Sequence, residues 1–244
     1  TTLINGESNA CLCHVGSMVA IADAVRGLNA SPLSPSPPTM PTEIEIKLQL
    51  APEGHAKVME LLKEREKGGC IRMENFFWDG EAGEMRQARR VVRLRKCWRD
   101  DDSVYYVLTI KSKGKVVDGV GNSQEDECDI SEEGAALLFQ SGTFEDSCPL
   151  GQALLQSTGV SRLYLLGSFY NERHVYTWTD NIHKLELDQS KFSAGLTLHE
   201  WEMECDSQMV DSLKKDITAF LSTHAITWKE STQSKFATFL STLP

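Results

Sequence analysis

Apolar and charged residues alternate with period two through many segments of this chain, beginning at Pro41-Thr42-Glu43-Ile44-Glu45-Ile46-Lys47-Leu48. Read as a strand, this stretch puts Ile44, Ile46 and Leu48 on one face and Glu43, Glu45 and Lys47 on the other. The pattern returns at Val91–Arg95, where Arg93 and Arg95 oppose Val92 and Leu94. In Tyr106–Lys113 the residues Thr109, Lys111 and Lys113 share the polar face. Glu125, Glu127 and Asp129 are in phase in the strand that follows. Lys184, Glu186 and Asp188 alternate with Leu185 and Leu187. Glu200, Glu202 and Glu204 oppose His199, Trp201, Met203 and Cys205. Further strands are predicted at Asn75–Gly80, Leu163–Tyr170 and Arg173–Thr177.

Helical spacing fills the intervals. Pro52 opens a helix with Val58, Leu61 and Leu62 on one stripe, which Gly68-Gly69 is expected to end. Ser131 is the predicted N-cap of a helix with Glu132 and Glu133 in its first turn and Leu137 and Leu138 on its apolar side. Helices are also predicted over 149–158 and 207–222, and a C-terminal one near 231–242 places Lys235 beside Phe236 and Phe239. Asp100-Asp101-Asp102 reads as a loop and Gly114–Gly121 as a turn-rich link.

Roughly eight strands of this kind fit an antiparallel sheet curled into a barrel. The expected fold is α+β, mainly β: a closed eight-stranded tunnel with helices packed outside. The aliphatic faces form the more continuous apolar surface, so the helices must cover them and the charged faces must point inward. A lumen of carboxylates and bases is costly when dry and unpaired. It becomes sensible when it is wet and takes a ligand of both signs. Carboxylates suit a hard divalent cation, and Arg and Lys suit an anion. A metal-bound polyphosphate has that mixed character, and phosphoryl transfer asks mainly for charge neutralisation and positioning. One E-x-E or R-x-R pair alone reads as strand-edge protection. Five or six such faces, segregated by sign within most strands, do not.

Composition narrows the reading. The chain has 244 residues and a formal net charge of −10, which disfavours non-specific nucleic-acid binding and leaves room for a local basic site. Its seven cysteines form no CxxC pair, which argues against a structural zinc site or a disulfide framework and for reduced thiols in the cytoplasm. No apolar run reaches the ~18 residues of a membrane span. The sequence contains no Walker-type phosphate loop, G-x-S-x-G, H-E-x-x-H or dinucleotide fingerprint. Residues 1–40 differ from the rest: they predict a short helix at 15–25 and a polyproline-type linker at Ser31–Pro38. They are expected to form a largely disordered extension, with organellar targeting as an alternative use and Met40 as a possible start for a shorter product.

The ordered set Glu43-Ile44-Glu45-Ile46-Lys47, Arg93-Leu94-Arg95, Lys111-Ser112-Lys113, Glu125-Asp126-Glu127, Lys184–Asp188, Glu202-Met203-Glu204 and Ser234-Lys235-Phe236 resembles the CYTH superfamily, the triphosphate tunnel metalloenzymes. Gly167–Trp178 and the C-terminal Lys-Phe segment look most like the short plant inorganic tripolyphosphatases. The resemblance covers about 41–242 and implies an enzyme, expected to be a monomer, that takes a small-molecule triphosphate with Mg²⁺ or Mn²⁺. It implies metal ligation by Glu43, Glu45, Glu202 and Glu204, with Glu125, Glu127, Glu186 and Asp188 as the next ligand candidates. Lys47, Arg93, Arg95, Lys111, Lys113, Arg173 and Lys235 would contact the triphosphate. Glu43, Glu45, Glu127 and Lys111 would carry the catalysis. Arg86, Arg89 and Arg90 stay unassigned. Inorganic tripolyphosphate is the expected substrate. Alternatives are an organic triphosphate such as thiamine triphosphate or a nucleotide, cyclisation of ATP by the same fold, and a non-catalytic polyphosphate-binding module. Trp78, Trp98 and Trp178 are available as an organic platform but read as packing residues.

Overall fold

The computed structural model describes residues 42–99, 101 and 103–243. The extension 1–40, with its expected helix and linker, lies outside the described residues, as do Asp100 and Asp102 of the expected acidic loop. Among the described residues the order is β1 (Thr42–Leu50), α1 (Pro52–Leu62), a 3-10 turn (Lys63–Arg65), β2 (Glu66–Asp79), α2 (Glu84–Gln87), β3 (Arg90–Trp98), β4 (Val104–Val117) and β5 (Val120–Ile130). There follow α3 (Glu132–Ser141), α4 (Pro149–Thr158), β6 (Tyr164–Thr177), β7 (Lys184–Lys191), β8 (Thr197–Glu204), α5 (Val210–Thr223), β9 (Trp228–Glu230) and α6 (Lys235–Ser241).

Eight strands run β5-β4-β3-β2-β6-β7-β8-β1, and a β1–β5 pairing closes the ring. Every neighbouring pair is antiparallel. β1 gives the first half of one edge to β5 (Thr42↔Gln124 to Ile46↔Val120) and the second half to β9 (Leu48↔Glu230 to Leu50↔Trp228). Closure through β1 and β5 pairs most of the strand edges, which lessens the hazard of edge-to-edge pairing.

The alternation sorts as expected. Ile46, Leu48, Leu185, Leu187, Trp201 and Met203 face outward, where α1 and α5 bury them under Val58, Leu62, Leu213, Ile217 and Leu221. On the other flank α3 and α4 bring Leu138 and Leu154 onto Trp78, Val92, Leu94, Leu108, Ile110 and Ile130. A third cluster joins Phe77, Phe169 and Phe192 to Phe239 of α6, with the Phe77 and Phe239 ring centroids 4.9 Å apart. Phe77 and Phe169 also line the lumen, so α6 is seated against the barrel's inner side rather than on an outer face.

Several boundaries differ from the sequence expectation. The first helix stops at Leu62, and Gly68-Gly69 lies inside the 14-residue β2. Gly69 (φ +71°) belongs to an irregularity in the β2–β6 register between Glu66 and Cys70, so the glycine pair serves a strand distortion rather than a helix stop. Leu61 is 41% exposed, while Val58 and Leu62 carry the buried stripe. The link 114–121 is a hairpin turned by Asp118 (φ +49°) and Gly119 (φ +71°), a dipeptide suited to two consecutive left-handed residues. A Cβ on Gly119 would also come within 3.0 Å of the Lys47 carbonyl. The two strands expected at 163–170 and 173–177 are one, β6, with Asn171 buried in its middle and accepting a 2.7 Å bond from Ser190 Oγ. The C-terminal helix is shorter than expected, because Ser234 caps it, its Oγ accepting from the Ala237 N–H at 3.2 Å; residues 228–230 form β9, which was not anticipated. Ser131 caps α3 as anticipated, its Oγ accepting from the Gly134 N–H at 2.9 Å. No helix among the described residues is long and apolar enough to cross a membrane.

Candidate active site

The barrel encloses a cavity of about 1060 Å³. Glu43, Glu45, Lys47, Arg93, Arg95, Lys111, Glu125, Glu127, Arg173, Glu186, Glu202, Glu204 and Lys235 all line it. Period-two alternation brings residues far apart in sequence onto one wall, because each strand turns the same charged face inward. The register makes rungs of them. Lys47, Glu202 and Glu186 sit opposite one another across β1, β8 and β7. Arg93, Thr109 and Glu127 do so across β3, β4 and β5.

Two candidates fall elsewhere. Lys113 is exposed with a left-handed backbone (φ +56°) at a bulge between Ser112 and Lys115, and it lies outside the cavity lining, whereas Lys115 belongs to it. Asp188 is 0% exposed and is absent from the cavity lining: on the inward face of β7, it is covered by the two cations it pairs with. Its two carboxylate oxygens accept from Arg173 Nε and NH2 at 2.7 Å each, and Lys235 Nζ is 2.8 Å from Oδ2.

Around Glu202 the network is dense. Lys47 Nζ lies 2.7 Å from Glu202 and 2.6 Å from Glu45. Arg173 NH2 is 3.0 Å from Glu202, while its NH1 pairs with Glu186. Lys235, carried in by the Ser234-capped start of α6, pairs with Glu202 and lies 3.3 Å from Glu200. Glu45, Glu186 and Glu202 each bring one carboxylate oxygen to within 4.8 Å of the others. Three converging oxygen donors are the donor set a hard divalent cation takes. On the facing wall Lys111 is 2.9 Å from Glu43 and pairs with Glu125, and Arg93 NH2 is 3.3 Å from both Glu125 and Glu127.

Carboxylates this crowded cannot all ionise at their ordinary values. Burial, and then the charge of Glu202, push Glu45 up to about 7 despite Lys47. Burial and a hydrogen bond with Glu43 push Glu125 up to about 8. Burial opposes the ionisation of Glu43 too, but its bonds to Glu125 and Lys111 hold it well below the usual carboxylate range. Glu202 also overcomes burial, through Lys235, Lys47 and Arg173, and stays ionised far into acid. A proton shared between Glu43 and Glu125, and an elevated Glu45, are what a set of acids shows when it holds more negative charge than its cations balance. A divalent cation fits such a set.

Some contributors carried no charge pattern to reveal them. Thr109, which shares the polar face of Lys111 in the sequence pattern, is buried and bonded to both Arg93 and Glu127. Asn75, 3% exposed, accepts from Arg95 Nε at 3.3 Å. Ser123 Oγ donates to Glu43 at 3.2 Å. Arg86, Arg89 and Arg90 reach the cavity lining; Arg86 is tied to Asp79 at 2.5 Å and Arg90 to Ser157 at 2.8 Å. Of the three tryptophans considered as a platform, Trp78 and Trp178 are buried in the outer cores, and the aromatic lining consists of Phe77, Phe169 and Phe236.

Comparison with known proteins places this geometry. A family model described as the CYTH domain matches residues 41–239. The chain is similar to HpAC1 from Hippeastrum, a protein named as an adenylyl cyclase with a dominant triphosphatase activity: identity is 30%, the TM-score is 0.69, and the match covers 82% of this chain and 95% of that one. It shares its fold with an adenylate cyclase-named protein of Bacillus halodurans (19% identity, TM-score 0.59, covering 81% and 98%). It also shares it with PH1819 of Pyrococcus horikoshii (15% identity, TM-score 0.54, covering 82% and 98%). No curated protein sequence matches the chain.

Proposed function

We propose, from the premise that this chain belongs to the CYTH domain family, that it hydrolyses inorganic tripolyphosphate to pyrophosphate and phosphate with a divalent metal, Mg²⁺ or Mn²⁺. The observation that carries this is the meeting of Lys47, Arg93, Arg95, Lys111, Arg173 and Lys235 with a surplus of carboxylates around one enclosed cavity. The triphosphatase activity named for the Hippeastrum protein supports it.

Glu45, Glu186 and Glu202 are the residues that would hold the cation, with Glu43 and Glu204 beside them. A bound cation neutralises phosphate oxygens and positions water for attack. The chain's own groups do the rest. The six cations bind the phosphate oxygens and stabilise charge developing on the departing pyrophosphate. Water adds to the terminal phosphorus, the anhydride P–O bond breaks, and the proton from water passes to a lumen carboxylate, for which Glu127 stands on the same rung as Arg93. Arg93 has a buried Nε with no hydrogen-bond partner among the described residues. Lys113 is left out of the contact set because of its position.

A second reading, an organic triphosphate, draws support from half-buried Phe236 beside Phe77 and Phe169 in the lining, an apolar surface that phosphates do not use. Phosphate release from tripolyphosphate, ATP and thiamine triphosphate, each with Mg²⁺, Mn²⁺ or EDTA, separates the readings. Metal-dependent release favouring tripolyphosphate is the expected result. A preference for an organic substrate moves the function to the second reading, and tight binding without release from any substrate reduces the tunnel to a binding module.

A further inference from the structure

Thr109 lies midway along the rung that joins an anion-binding cation to a lumen carboxylate. Arg93 of β3 is opposite Thr109 of β4, which is opposite Glu127 of β5. Thr109 is 1% exposed, and its hydroxyl makes two bonds: Oγ1 is 2.6 Å from Glu127 Oε1 and 3.0 Å from Arg93 NH2. The direction of both bonds follows from chemistry. A guanidinium has no acceptor, so Arg93 must donate to Oγ1, and the single hydroxyl proton must go to the carboxylate. A β-branched side chain on a strand has a restricted χ1, so the hydroxyl is held where it stands.

We infer that Thr109 is a positioning residue for triphosphate hydrolysis in this tunnel, fixing through one hydroxyl both the carboxylate of Glu127 and the guanidinium of Arg93. Its proton pins Oε1 of Glu127, and its lone pair steadies NH2 of Arg93, whose remaining contacts to Glu125 and Glu127 are longer, at 3.3 Å each. The arrangement ties the acid that stands to take the water proton to the base that stands to hold a phosphate oxygen. Neither Arg93 nor Glu127 can turn without disturbing the other. Thr109 itself has no donor left for substrate, so its effect passes entirely through these two groups.

This inference rests on the proposed hydrolysis, so its test has a readout that needs no turnover. Wild type, Thr109→Val and Thr109→Ser are compared in kcat and KM for tripolyphosphate with Mg²⁺, and in the rise of Tm that tripolyphosphate produces without metal. Valine keeps the shape and removes both bonds; serine keeps the hydroxyl. The expectation for Thr109→Val is a fall in kcat of about tenfold, the size of one lost hydrogen bond to charged groups. Its tripolyphosphate-induced Tm rise should be smaller than that of the wild type, while its ligand-free Tm stays close. Thr109→Ser should recover kcat to within about twofold. Equal losses in the two variants, or losses that track ligand-free Tm, overturn the inference in favour of simple packing. If wild type releases no phosphate, the hydrolysis reading fails and the Tm rise alone decides the rung: a smaller rise for valine, restored by serine, keeps it. Equal rises, or no rise in wild type, overturn it. If valine prevents folding, Thr109→Ala takes its place.

Discussion

The two walls of the tunnel are built from the same residue types and hold them differently. The wall of β1, β6, β7 and β8, with Lys235 from α6, is closed in: the side chains of Asp188, Glu200 and Glu202 are 0%, 2% and 4% exposed, and each cation faces two or three acids. The wall of β3, β4 and β5 is more open, with Lys111 28% and Glu127 44% exposed. In the closed wall charge is locked: Arg173 and Lys235 are raised well above their ordinary values by Asp188 and its neighbours despite burial, and Asp188 is lowered by the same pairs. In the open wall charge is unsettled. Glu125 is pushed up to about 8, and burial with the charge of Arg95 brings Arg93 down to about 10. The contrast teaches that the closed wall is a frame that holds shape, while the open wall has capacity left for a ligand. Glu45 and Glu186 stand where the frame presents acids to the lumen.

The largest expected effect comes from breaking the frame. Asp188→Ala leaves Arg173 and Lys235 facing a buried gap, and removal of one partner from a buried ion pair costs about 3–5 kcal/mol. Urea unfolding should show a loss of that size. A loss below about 1 kcal/mol would mean that the network is wet and weak, as exposed pairs are. A smaller effect is expected from pH in the metal-free protein. Glu45 and Glu125 titrate higher when folded than the ordinary 4.5, so the stability they contribute is complete below pH 4.5 and is lost as pH rises through about 7 and 8. Glu43, Glu202 and Asp188 shift downward, so what they contribute is present above their ordinary values and is lost only in acid. Tm should therefore fall between pH 5 and pH 8, and added Mg²⁺ should flatten that fall. A Tm that rises over the same range without metal would contradict the carboxylate crowding.

Smaller still is the effect on the open wall. Lys111→Ala should raise KM for tripolyphosphate by about tenfold, the size of one charge-assisted contact. It should leave stability within about 1 kcal/mol, because the lysine is part-exposed. A large stability loss with unchanged KM would reverse the assignment of the two walls. Smallest of all, Lys113→Ala should leave KM within about twofold, since the bulge keeps this lysine out of the lining.

That Lys113 stood beside Lys111 in the sequence pattern marks where reading by alternation stops. Alternation found the barrel because Glu43, Glu45 and Lys47 oppose Ile44, Ile46 and Leu48 without interruption, and the same regularity recurs in β3, β7 and β8. It carried eleven of the charged candidates to the cavity lining for the same reason, while Arg173 and Lys235 came from the family resemblance. It failed where one extra residue enters a strand: the bulge after Ser112 breaks the face, and nothing in Lys-Ser-Lys announces it. Gly68-Gly69 misled because glycine marks a strand irregularity as well as a helix end. Thr109 and Asn75 were invisible as site residues because neutral polar groups on a strand say nothing until their partners are known. Phe77 and Phe169 belong to a buried cluster and also line the cavity, because α6 turns back onto the inner side of the barrel, a tertiary event with no local signature.

We propose that the acids of this tunnel serve a metal-dependent hydrolysis of triphosphate. It is tested most directly by the rate of phosphate release from tripolyphosphate with Mg²⁺, measured for wild type and Glu45→Gln together. Wild type should release phosphate rapidly and lose that release with EDTA, and Glu45→Gln should fall by about 100-fold, on the scale of losing a metal-site interaction. Tm of the variant should stay within a few degrees of wild type. Equal rates in the two proteins, or release that EDTA leaves untouched, would contradict it.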